Sequence, residues 1–87
     1  MRTFDLSLGQ LVTVWRMNSG MSQAALANAL GTQQASISKI ENGIQRITVA
    51  QLSRILCACG LTFSAVSKDL DAVLVRESRS LWERETE

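Results

Sequence analysis

Histidine, tyrosine and proline are absent from the 87 residues, and Phe and Trp together supply only 5%. Without His, the side chain that most often serves as general base and metal ligand near neutral pH is missing. No cluster of metal-ligating residues and no Gly-rich phosphate loop occurs in the sequence. The expectation is a protein that is not an enzyme and needs neither metal nor cofactor. The lack of Pro, beside abundant Ala, Leu, Gln and Ser, favours a nearly all-helical chain. No apolar run reaches membrane length, and the opening MRTFDLSLGQ has no apolar segment of the secretory kind. A cytoplasmic protein without a membrane partner is therefore expected. Hydrophobic residues at 46% suffice for one small core, hence one domain.

Cysteine is scarce too, with only Cys57 and Cys59. Two residues on a helix are turned about 200° apart, so the thiols should point to opposite sides. Cys59 continues the apolar stripe of Leu52, Ile55 and Leu56 and should be buried, with Cys57 nearer solvent. Neither a zinc site nor a redox pair is expected of them.

A net charge of +1 conceals an asymmetry. In residues 1–67, Arg2, Arg16, Lys39, Arg46 and Arg54 face only Asp5 and Glu41, which leaves +3. In residues 68–87, Lys68, Arg76, Arg79 and Arg84 face Asp69, Asp71, Glu77, Glu83, Glu85 and Glu87, which leaves −2. The division predicts a basic domain over 1–67 and a charged tail over 68–87. A charge of +3 is a modest footprint for a polyanion, so two copies acting together are expected.

The pattern along the chain predicts a first helix from Ser7 to about Asn18, with Leu8, Leu11, Val12 and Trp15 inward and Gly20 as its stop. A second starts at Gln23 behind Ser22, whose hydroxyl can cap it; Ala25 stands where a capping box would have Glu. Gly31 ends that helix, and a third opens at Thr32 or Gln33. Ile37 and Ile40 turn inward, while Ala35, Ser38, Lys39 and Asn42 form an outward stripe with Gln34 at its edge. Amide, hydroxyl, ammonium and methyl groups are the set that reads base edges in the major groove. Gln23, Ala27, Gly31 and Ile37 fall at the start, helix contact, turn and core anchor that a helix-turn-helix demands. Thr48 is placed to cap a helix from Val49 to about Cys59, with Ile47 as the apolar residue just before it; a shorter fourth helix within this stretch is also compatible.

From Leu8 to about Val66 the chain resembles the Xre, or Cro/CI, helix-turn-helix family, on the strength of SQAALANALGTQQASISKIENG and above all its IENG ending. The resemblance implies a five-helix lambda-repressor-like fold and a buried ion pair of Arg16 with Glu41. It implies that Gln23 holds a phosphate, and that Gln33, Gln34, Ala35, Ser36, Ser38 and Lys39 face the major groove. Asn42, Gly43, Gln45 and Arg46 would then grip the backbone of a double-stranded operator. Within the family, GTQQASIS and LTFSAV are most similar to antitoxins of the HipB kind, whose partner is a HipA-like serine/threonine kinase toxin. A repressor that autoregulates its operon is implied; a phage or restriction-modification regulator of the same fold, without a toxin, is the alternative.

After Gly60, LTFSAVS alternates with period two and predicts a strand, with Leu61, Phe63 and Ala65 on one side. A lone strand needs a partner for its backbone groups, so pairing with its counterpart in a homodimer is expected. Leu70, Val73 and Leu74 then suggest a short amphipathic helix. In the charged tail, Leu81 and Trp82 are candidate anchors for a protein partner.

Overall fold

The computed structural model describes the backbone of residues 3–86 and the side chains of residues 5–75. Five helices follow in order: α1 (Thr3–Asn18), α2 (Gln23–Leu30), α3 (Gln34–Glu41), α4 (Val49–Ala58) and α5 (Phe63–Thr86). No strand occurs among the described residues. Val12, Trp15, Leu26, Ala27, Ile37, Ile40, Ile55, Leu56 and Val66 form one buried cluster to which every helix contributes.

α1 begins at Thr3, four residues ahead of the expected Ser7, and its first turn holds Asp5, an acid placed to complement the positive end of the helix dipole. Its inward stripe is as expected: Val12 is fully buried and Trp15 is 4% exposed, deep in the core. α4 carries a complete capping box. Thr48 Oγ1 accepts from the Gln51 backbone N–H, and Gln51 Oε1 accepts from that of Thr48. Ile47, just outside, packs against the core. Cys57 is exposed and Cys59 half-buried, and burial pushes the Cys59 thiol up from its ordinary value.

The expected strand over 61–67 is helix instead. Gly60 ends α4, and Leu61 N–H returns to the Leu56 carbonyl. Thr62 Oγ1 then accepts from Ala65 N–H at 3.1 Å, the bond of a helix N-cap. Val66 and Val73 are buried and Leu70 packs against the core, an i, i+4, i+7 stripe that only a helix aligns. The alternation from Leu61 to Val66 was too short to outweigh this longer periodicity. Leu61 packs inward, whereas Phe63 and Ala65 are exposed on the first turn of α5, so the three do not share the dimer-facing side of a strand. The short helix expected around Leu70 is part of the same element, which continues unbroken across the 67/68 division. The side chains of Leu81 and Trp82 lie outside the described residues.

Candidate nucleic-acid interface

Helices α2 and α3 owe their mutual angle to four residues. Ser22 Oγ accepts from Ala25 N–H at 3.0 Å and sets the start of α2. Gly31 takes the left-handed conformation, φ 68° and ψ 33°, which a side chain would strain. Its N–H reaches the Asn28 carbonyl and that of Thr32 the Ala27 carbonyl, closing a Schellman turn. Ala27 (3% exposed) and Ile37 (fully buried) then fill the angle between the helices.

Beneath α3 the Arg16 guanidinium meets the Glu41 carboxylate in a two-point contact, Nε to Oε2 at 2.7 Å and Nη2 to Oε1 at 3.1 Å. Arg16 Nη1 also donates to the Met21 carbonyl. Burial pushes the Glu41 carboxyl up, but hydrogen bonds from Arg16 and Gln23 outweigh it and hold the group below its ordinary value. The same bond to Glu41 raises Arg16, against the opposing effect of burial. This pair stands where the sequence resemblance places it, and it turns the one acid between Gln23 and Asn42 away from the outer surface.

That outer surface exposes Gln33, Gln34, Ala35, Lys39 and Asn42, with Ser36 and Ser38 half-buried at its margins. α3 opens at Gln34, with Gln33 as its N-cap residue; the Gln33 side chain makes no capping bond and so stays available. Asn42 Nδ2 donates to the Ser38 carbonyl at 2.8 Å, which fixes the side chain at the end of the ridge. In the following loop, Gly43 lies against α1: a Cβ there would stand 2.7 Å from Leu6 Cα. Gln45 is half-buried, and Arg46 keeps 67% of its side chain exposed, with its Nε 3.8 Å from Asp5 Oδ2. Gln23 is placed differently from the rest. Its amide donates to Glu41 Oε1 at 3.0 Å, so the group that would meet phosphate belongs to the buried network.

Arg54, counted in the sequence only for its charge, donates from Nη2 to the Leu30 carbonyl at the end of α2. Its signal was present, as the single charged residue of α4.

A helix-turn-helix family model matches residues 15–66. No curated protein matches. Two crystal structures of the clp gene regulator ClgR from Corynebacterium glutamicum share the fold. One is 19% identical, covering 83% of this chain and 92% of that one, with a TM-score of 0.73. The other is 17% identical, covering 95% and 89%, with a TM-score of 0.72. With the family model spanning more than half of its length, and the paired helices closed by Gly31 and Ile37 as described, this chain belongs to the Xre-like helix-turn-helix family.

Proposed function

We propose that the protein is a sequence-specific transcriptional repressor that binds a double-stranded operator as a homodimer. The observation that carries this reading is the outer face of α3: Gln33, Gln34, Ala35 and Lys39 stand exposed without an acid among them, while Glu41 is turned under and neutralised by Arg16. A face of that chemistry suits base edges, and a duplex would be repelled by the acids that an ordinary solvated helix carries. Arg46, Asn42 and Gln45 then meet phosphates beside it. The mode of action is binding, without catalysis. A near-palindromic site follows from a two-fold dimer, its halves separated by roughly one DNA turn of 34 Å.

Selection of bound sequences from a random duplex pool tests this. An enriched inverted repeat supports the reading, and a pool that stays random after selection overturns it.

A narrower reading makes the protein the antitoxin of a HipA-like kinase. The run GTQQASIS supports it; the LTFSAV segment no longer does, since Phe63 opens a helix. A regulator of the same fold without a toxin keeps every residue of the interface. Whether a HipA-like kinase co-purifies with the protein separates the two.

A further inference from the structure

A cleft of about 250 Å³ runs between α3 and α4, beside the ridge of α3. Thr32 and Ser36 bring hydroxyls to it, Gln45 and Gln51 bring amides and Arg54 a guanidinium, and no acidic side chain among the described residues lines it. Fully buried Ile37 and Ile55 back it, so its floor is part of the rigid core. Arg54 bonds the Leu30 carbonyl through Nη2 only, which leaves its other N–H donors without an acceptor among the described residues. A water takes roughly 30 Å³ of liquid, so the space admits a phosphate group together with several waters.

We propose that this cleft is a phosphate subsite that takes one backbone phosphate of the duplex, with Arg54 as its charge. The inference rests on the operator-binding reading and deepens it. An α-helix with its side chains is about 10–12 Å across and the major groove about 12 Å wide, so a helix lying in the groove has its flanks against the phosphate walls. The cleft lies along one flank of α3. A phosphate there would find a cation, two hydroxyls and two amides, and it would fix how deeply α3 sits without reading sequence. Arg54 is thus a positioning residue for the base contacts of Gln34 and its neighbours.

The test is fluorescence anisotropy over a range of salt, with the selected operator and an unrelated duplex as probes. Arg54→Ala should weaken both several-fold by the same factor, and lower the salt slope by about one unit per bound protomer. Thr32→Glu leaves the Arg54–Leu30 bond in place and puts a negative charge at the cleft; it should do the same with an unchanged melting temperature. Wild-type affinity and slope in either folded variant would overturn the subsite, while Gln34→Ala still relaxing base preference would leave the operator-binding reading standing. A wild-type chain that binds no duplex removes both. Inorganic phosphate alone, compared with chloride at equal ionic strength, distinguishes the source. Stabilisation of wild type but not of Arg54→Ala, with duplex affinity untouched, would assign the cleft to free phosphate and overturn its place in the DNA interface.

Discussion

Gly9 lies so close to the end of α3 that a Cβ added to it would stand 2.8 Å from the Glu41 carbonyl oxygen, and closer still to that of Ile40. Backbone therefore meets backbone where α1 supports the recognition helix. Gly9→Ala gains up to about 1 kcal/mol of helix propensity, but it forces atoms that belong to two rigid elements apart, and overpacking of that kind costs about 1–3 kcal/mol. A net loss is expected, read as a melting temperature lower by several degrees. Equal or higher stability would mean that α1 can slide away from α3 without penalty.

The pair beneath α3 gives a second expectation. Glu41 is 7% exposed and its partner's side chain 12%, so Arg16→Met would leave a carboxylate with little water and one amide partner. Breaking a buried pair from one side costs about 3–5 kcal/mol. Replacing both residues, Arg16→Met with Glu41→Leu, should cost less than either change alone. Denaturant titration of the four proteins measures the coupling, and additive losses would show the two groups to be independent.

The same carboxylate makes stability fall in acid. Glu41 titrates below its ordinary 4.5 in the folded chain, so the unfolded chain takes up its proton first as the pH drops. The contribution is whole above about 4.5 and is lost as the pH falls through the lower folded value. Arg16 stays protonated throughout this range. Glu41→Gln should flatten the pH dependence of the melting temperature below pH 4.5; an unchanged curve would place the acid sensitivity elsewhere.

At the DNA, Gln34→Ala and Arg46→Ala should differ in kind. Gln34 is exposed in the first turn of α3, where its amide can address a base edge, so its loss should cost about 1–3 kcal/mol and relax preference at one position. Arg46 extends from the loop, paired loosely with Asp5 among the described residues, so its loss should weaken all sequences alike and reduce the salt slope by about one unit. Mobility shifts over operator variants and salt distinguish the two. A uniform loss with Gln34→Ala would end its assignment as a base contact.

What the sequence disclosed was governed by how local each signal is. Ser22, Gly31 and Thr48 act on backbone groups within a few residues, and each capped or ended the helix it was expected to. Ile37 and Trp15 were placed in the core because a single inward stripe contained them. The position of the Gln23 amide and the reach of Arg54 to Leu30 depend on residues 18 and 24 places away, which no periodicity encodes. Gly9 did leave a trace, as an isolated glycine inside a helical pattern, the sign of a close approach. The segment after Gly60 misled because six alternating residues fit a strand, while Thr62 as a cap and Val66, Leu70 and Val73 as a stripe fit a helix over a longer span.

Thr62 offers the sharpest test of that last element. As an N-cap it supplies an oxygen to Ala65 N–H, so Thr62→Ala should cost about 1 kcal/mol, whereas Thr62→Ser keeps the oxygen and should be close to neutral. In a strand the order would not separate in this way: both replacements remove the β-branch, which is what a pleated surface favours in Thr. Thermal melts of the two variants therefore report the backbone they sit in. Similar losses in both would show that the Thr62 oxygen does not cap α5.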